Sequence, residues 1–361
     1  MTSKPGGILK IIAVLSGTLV FLFFVLVLAF EAYTIVAVRT EAGKPLPPTF
    51  GNFDRVRALL QSDPRRSEFS FAVLGDAHSY SPFERICEQL RDEPLSFLVL
   101  LGDIVARPTP GYHDFLRAEL ASEVALPFPV FYALGNHDVD PTTFPLRRFE
   151  ETYGPTNFSF EYQGCLFIVL RVLPPPESTR ESLSFLESVL SARRADCRKV
   201  FVFMHCPLMS SEPVTTPLPD AREFTALFDR FKVDYVISGH HHGHARVKVR
   251  DTVYLVSGGG GADLDPAGSG MFHHAVVITI RPDMVSEKIL FVPGGDDLQD
   301  RIESLAIAKV YPLLEAYPSL AIIANAAILL VCSWMVWRFV KGRRKPRSSG
   351  PRPCDATIAG C

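Results

Sequence analysis

Apolar, β-branched runs punctuate the middle of this chain, and each ends on a small polar cluster. The runs FAVL (71–74), LVLL (98–101), FYAL (131–134), VFVFM (200–204) and YVIS (235–238) have the length and residue types of buried strands. Segments of helical character follow them: Pro82 to Arg91, Tyr112 to Val124, Phe144 to Tyr153, Glu181 to Ala195 and Ala221 to Phe231. Phe158 to Tyr162 and Leu166 to Val172, joined at Gln163-Gly164, read as a hairpin. From Val247 the pattern is β throughout: VKV, VYLVS, HAVVITI and Lys288 to Val292. A βαβ half followed by a β-rich half predicts an α/β fold. Two sheets pack face to face with helices outside, giving a four-layer α/β/β/α sandwich.

Two further stretches do not suit a soluble core. Ile11 to Phe30 runs 20 residues without a charge, and Leu320 to Trp337 runs 18, broken by Asn325 and Ser333. At ~1.5 Å per residue each crosses or nearly crosses a ~30 Å hydrocarbon layer. The first reads as an uncleaved anchor, with a cleaved signal peptide as the alternative. The second reads as a span, with a buried core helix as the alternative. Trp334 and Trp337 close it, just before Arg338, Lys341, Arg343, Arg344, Lys345 and Arg347. Interfacial aromatics followed by basic residues mark a cytoplasmic end. The segment between the spans is then expected on the non-cytoplasmic side. A bacterial inner membrane and periplasm is the first choice, and an ER or Golgi lumen the alternative.

The expected division is a tail and transmembrane helix (1–39), a Pro-rich stem (40–68) and a catalytic domain (69–295). A juxtamembrane segment (296–318), a second transmembrane helix (319–340) and a basic tail (341–361) follow. The 361 residues are 47% hydrophobic with a formal net charge of -2, which gives no sign of nucleic-acid binding. Cys87, Cys165, Cys197 and Cys206 fall in the domain without the spacing of a zinc knuckle. Cys206 follows His205 and is read as a neighbour rather than a soft ligand.

The polar clusters carry the chemistry. They are GDAH (75–78), GD (102–103), GNHD (135–138), a lone His205 and GHHH (239–242). Each follows a strand, so all should collect at carboxyl strand ends, where open α/β sheets gather their ligand sites. Two divalent ions need one carboxylate between them and imidazoles around them. Asp103 suits the bridge. Asp76 with His78, and His240 with His242, have the i, i+2 spacing that points two side chains one way. Asn136 offers a neutral amide oxygen, and His205 completes the set. The glycine before each cluster would let the backbone turn tightly. His113, His273 and His274 match no cluster and read as packed residues. The Gly258 to Gly261 run reads as a flexible loop near the site.

This ordered set resembles the calcineurin-like metallophosphoesterase family over about Phe69 to Ile280. The resemblance implies that Asp76, His78 and His242 hold one metal ion and Asn136, His205 and His240 the other, with Asp103 bridging. The ions would be Mn, Fe or Zn. A water between them would attack phosphorus in line, and His137 would protonate the leaving oxygen or stabilise its charge. Asp138 would orient His137 or cap the next turn. One departure stands out. The Ser/Thr protein phosphatase branch has an acid three residues after the bridging Asp, then an Arg; here those places are Ala106 and Arg107. His137 then lacks a carboxylate partner, which argues against protein-phosphatase activity. Arg107 and His244 are candidate substrate contacts.

The expected function is hydrolysis of a phosphomonoester or phosphodiester by a membrane-anchored enzyme, its substrate a lipid headgroup or envelope-linked phosphate. A nucleotidase or cyclic-nucleotide phosphodiesterase is the second enzyme alternative. A non-catalytic scaffold of the same fold is the third.

Overall fold

The computed structural model describes residues 5–42, 44–52, 54–62, 64, 66–122, 124–174, 179–208, 218, 220–265, 270–295 and 297–343. Most of the expected basic tail (341–361) lies outside them. The chain divides into two units, Tyr33–Pro312 and Met1–Ala32 with Leu313–Cys361.

In the larger unit the parallel strands β1 (Phe69–Leu74), β2 (Leu95–Leu100) and β3 (Val130–Tyr132) form the first sheet. The helices α3 (Ser81–Arg91) and α4 (Pro110–Ser122) connect them in turn, and α5 (Leu146–Tyr153) follows. Strands β10 (His273–Ile280) and β11 (Val285–Val292) extend this sheet antiparallel beyond β1. In the second sheet β5 (Cys165–Leu170), β6 (Lys199–Met204), β7 (Tyr235–Ser238) and β9 (Thr252–Ser257) run parallel. Strands β4 (Phe158–Tyr162) and β8 (His244–Val249) close its edges antiparallel. Helices α6 (Arg180–Arg193) and α7 (Ala221–Phe231) supply its crossovers. The hairpin between β4 and β5 turns on Gln163 (φ 49°) and Gly164 (φ 73°), the pair of left-handed residues that a two-residue type I′ turn needs.

Strand alternation sorts the residues into layers. Phe71 and Val73 of β1, Phe97 and Val99 of β2, Phe167 of β5 and Phe201 and Phe203 of β6 meet between the sheets. The intervening Ala72, Leu74, Leu98 and Leu100 face the other way, against Phe83, Ile86 and Leu90 of α3 and Leu116 and Leu120 of α4. On the far side Ile168, Val202 and Val236 pack on Leu186 and Leu190 of α6 and Phe224 and Phe228 of α7. Three apolar interfaces therefore separate four layers, helix, sheet, sheet and helix. The central one is aromatic: Phe71 stacks on Phe97 with centroids 5.0 Å apart, and Phe97 meets Phe167 edge-on at 5.0 Å.

The segment expected as a stem packs against this domain. Phe50 is fully buried and bridges Val130, and α2 (Asp54–Gln61) buries Val56 and Leu60. After β11 come α8 (Leu298–Ser304), one turn of π-helix and α9 (Tyr311–Ala316). Ile307 seats against Phe115 and Ala118 of α4, in the same cluster as Ala37 and Val38. Cys87, Cys165, Cys197 and Cys206 are free and buried.

The smaller unit holds most of α1 (Pro5–Ala37) and α10 (Pro318–Arg343). Val14–Thr40 and Pro318–Arg338 are each long and apolar enough to cross a membrane. A buried core helix is excluded for α10, because Leu320, Ile322, Ile323 and Leu330 are 65–72% exposed. Asn325 Nδ2 donates to Glu31 Oε2 at 2.5 Å and joins the two helices. Near the end of α10, Arg338 lies 5.2 Å over Trp334 and Lys341 4.4 Å over Trp337.

Candidate metal centre

Each predicted cluster sits where a parallel strand ends. The loop after β1 carries Asp76 and His78, that after β2 Asp103, and that after β3 Asn136. His205 follows β6 directly, and His240 and His242 follow β7. The structure brings all seven side chains together in two groups that meet at Asp103. In one, Asp76 Oδ1 lies 3.5 Å from His242 Nε2, and the His78 and His242 rings are 5.7 Å apart. In the other, His205 Nε2 lies 3.0 Å from Asn136 Oδ1 and 3.1 Å from His240 Nδ1. Asp103 Oδ2 stands 3.4 Å from His205 Nε2, and Asp76, Asp103 and His205 offer donor atoms within 4.8 Å of one another.

The backbone is held in a costly form here. Asp76 (φ 58°), His78 (50°), Asp103 (50°) and His240 (66°) all adopt the left-handed conformation. For residues with a Cβ this costs about 1–3 kcal/mol each and persists only where the surroundings enforce it. The glycines consequently do something other than what was expected of most of them. Of the four, only Gly102 has positive φ, at 94°. Gly135 and Gly239 are there for space. A Cβ on Gly135 would fall 2.2 Å from Asp103 Oδ1, and one on Gly239 2.7 Å from Asp76 Oδ2.

The donor set fits divalent ions. Asp76 is fully buried, and neither its Oδ1 nor His78 Nε2, also buried, has a hydrogen-bond partner among the described residues. Orphaned buried acceptors need a cation or a proton. His205 donates its Nδ1 proton to Leu101 O at 2.9 Å, and His242 donates its own to Asp263 O at 2.7 Å. Each arrangement fixes the tautomer and turns Nε2 inward, as ligating histidines require.

Charge distribution agrees. Burial pushes His78 down to about 3, and burial with the neighbouring His205 charge pushes His240 down to about 4. Burial opposes protonation of His205 too, but the Asp103 carboxylate outweighs it and lifts the group to about 10. His242 rises against its burial to about 9 through the Asp76 carboxylate beside it. Burial raises Asp76, whereas Asp103 is lowered because His205 and His137 overcome its desolvation. Two protons thus stand where two cations would.

His137 lies beside this set, its ring centroid 5.3 Å from that of His78. Its backbone N–H donates to Asp103 Oδ1 at 2.7 Å, and its Nδ1 donates to the backbone oxygen of Ala106 at 3.0 Å. The main chain at position 106 therefore supplies the partner that the missing acid leaves out. Nε2 faces the site, 4.0 Å from Asp103 Oδ2. Arg107 is exposed on the same loop. His244 stands apart from the seven, its ring against His274 (5.1 Å) and Phe272 (5.9 Å). Cys206 Sγ lies near His205 and His240, but its side chain belongs to the apolar layer under α6 and α7.

Several supporting residues escaped the sequence. Asp138 neither orients His137 nor merely caps a turn. Its carboxylate accepts the backbone N–H groups of Asp103, Ile104 and Gly135. Asp265 Oδ2 holds His241 Nδ1 at 2.9 Å and His242 N at 3.2 Å. The Gly258 to Gly261 run is buried and packed rather than loose. Gly260 N donates to Gly75 O, Ala262 N to Asp76 O, and a Cβ at Gly261 would stand 2.0 Å from Ala77 O. The run braces the loop that carries Asp76.

This geometry defines a metal-dependent phosphoesterase. Residues 69–244 match the model of the calcineurin-like phosphoesterase family. A bovine protein (Bos taurus) named serine/threonine-protein phosphatase CPPED1 is 28% identical over 234 residues, covering 57% of this chain and 73% of that protein. Its human counterpart (Homo sapiens) is 28% identical over 237 residues, with the same two coverages. Among solved structures, a dimetal phosphatase from Danio rerio superposes with a TM-score of 0.51 at 14% identity, covering 64% of this chain and 98% of that one. GAP50, the anchor in the inner membrane complex of Plasmodium, superposes at 0.51 and 16% identity, covering 67% and 95%. Both share the fold.

Proposed function

We propose that this chain is a membrane-anchored phosphoesterase with a dinuclear centre. Asp76, His78 and His242 would hold one ion and Asn136, His205 and His240 the other, with Asp103 shared between them. The observation that supports it most directly is the pair of orphaned buried atoms, Asp76 Oδ1 and His78 Nε2, beside a crowd of inward-facing imidazoles. Bound there, two divalent ions would supply charge neutralisation at phosphorus and an activated water. The chain's own residues do the rest. His137 is anchored at Nδ1 by Ala106 O and, when protonated, presents Nε2–H to a leaving oxygen. Asp138 holds the Asp103 and Asn136 loops in register.

The test is hydrolysis of one aryl phosphomonoester and one aryl phosphodiester with added Mn²⁺, beside Asp103→Asn. We expect turnover that disappears in the variant. Turnover surviving Asp103→Asn would sink the dinuclear reading.

Anchoring by α1 and α10 is supported by their length, their exposed apolar side chains and the Trp–cation pairs at the end of α10. The catalytic domain then faces away from the cytoplasm, and a lipid headgroup or envelope-linked phosphate is the substrate. A green fluorescent reporter at the C-terminus should fluoresce in intact cells, and a dark reporter would overturn this orientation. The name of the 28%-identical relatives adds phosphoserine or phosphothreonine monoesters as a second substrate reading. Release of phosphate from a phosphopeptide but not from dispersed lipid would favour it.

A further inference from the structure

Beside the metal centre lies a second feature that none of the seven candidate ligands explains. A cavity of about 660 Å³ opens next to Asn136 and is walled by Val139, Leu146, Leu173 and three prolines. Arg171 and Arg147 also line it. Asn136 belongs to both spaces: its side-chain oxygen faces His205 at 3.0 Å, and the residue lines the cavity.

Arg171 is built into this wall. Its backbone N–H donates to Asn157 Oδ1 at 2.8 Å, and its carbonyl accepts Ser182 Oγ at 2.6 Å. Its side chain is 19% exposed, while that of its ion-pair partner Glu181 is 68% exposed. A carboxylate so open to water is easily exchanged for a ligand's charge. Asp140, the one acid of the lining, is occupied elsewhere. Its Oδ1 accepts Thr142 Oγ1, Thr142 N and Thr143 N, and these hydrogen bonds hold its carboxyl down at about 2. The cavity is thus apolar-walled, with two guanidiniums set against one carboxylate that its own turn engages, and of a volume that suits a group of headgroup or nucleotide size.

We propose that this cavity is a substrate subsite. It takes the part of an organic phosphate that is not cleaved, where that part carries a second negative charge, and Arg171 reads that charge in fork geometry. The proposal rests on the phosphoesterase reading and names the substrate class within it. That class is a compact organic phosphate with a further phosphate or carboxylate, free or as the headgroup of a lipid. Arg147, 89% exposed and paired with Glu151, contributes less.

Binding is measured first, since it needs no turnover. The full-length chain with Mn²⁺ is titrated with phenylphosphonate and with 4-carboxyphenylphosphonate. We expect the carboxylate to tighten binding about tenfold to hundredfold, and Arg171→Gln to remove that gain while leaving phenylphosphonate within twofold. Arg171→Lys should restore only part of it. Equal binding of the two phosphonates, or a gain that survives Arg171→Gln, overturns the subsite alone. Failure of both to bind the Mn²⁺-loaded protein overturns the phosphoesterase reading and the subsite with it.

The source of the ligand is then separated by phosphate release. Soluble inositol 1,4-bisphosphate is compared with phosphatidylinositol 4-phosphate in phosphatidylcholine vesicles. An Arg171-dependent preference for either supports the subsite and identifies its source. A preference for a phosphopeptide, independent of Arg171, overturns it.

Discussion

The carboxylate of Asp138 accepts the backbone N–H of Asp103 at 3.0 Å, tying the loop after β3 to the loop after β2. The same oxygen takes Gly135 N at 2.7 Å, and its neighbour takes Ile104 N at 2.8 Å. Burial and the nearby Asp103 charge push Asp138 up to about 7, while the backbone N–H groups it accepts work against that rise and favour its ionised form. The Asp138→Asn variant would turn an amide NH₂ toward N–H groups. We expect a loss of about 1–3 kcal/mol in stability and a 10- to 100-fold weaker metal affinity. Thermal unfolding and Mn²⁺ titration check both, and unchanged metal affinity would refute the clamp.

Gly135 leaves no room for a methyl group against Asp103. Gly135→Ala places a Cβ 2.1 Å from Asp103 N and 2.2 Å from its Oδ1, so the Asp103 carboxylate must shift. A displacement near 1 Å at such a centre costs on the order of a hundredfold in rate. Steady-state kinetics with circular dichroism as a folding control read this out.

In the proposed mechanism His137 acts beside the metal ligands rather than among them. His137→Asn should lower kcat about 10²- to 10⁴-fold. Its metal content should stay that of the parent protein, because no predicted ligand bond passes through this ring. Metal analysis beside kcat decides, and loss of metal in the variant would move His137 into the ligand set.

Protonation should oppose metal loading. His205 and His242 are lifted to about 10 and about 9, so both carry protons near neutrality in the metal-free protein. Mn²⁺ must expel them, and its apparent affinity should rise with pH, by up to about tenfold per unit for each proton displaced. The stability sign runs the other way. A raised histidine stabilises the metal-free fold fully below its unfolded value near 6.5 and loses that contribution as pH rises through its folded value. The chelated protein should therefore melt lower between about pH 7 and 10, and added Mn²⁺ should flatten the trend. Calorimetry in buffers of different ionisation enthalpy counts the protons, and a count of zero would contradict the assignment.

Local sequence was sufficient for the strands, because β-branched runs of this length have one burial solution, and for the order of the metal clusters that follow them. Helix α7 begins and ends where its residues predict, at Ala221 and Phe231. The two apolar helices were equally plain from their hydropathy. Tertiary structure alone decided what holds the site. The partners of His137, His205 and His242 are the carbonyls of Ala106, Leu101 and Asp263, and every residue has a carbonyl, so no side-chain pattern announces them. The same holds for Gly135 and Gly239, whose absent Cβ atoms matter only against Asp103 and Asp76 on other loops. No local pattern marks Arg171 for the same reason: a cavity exists only once β3, α5 and the loop after β5 are packed around it.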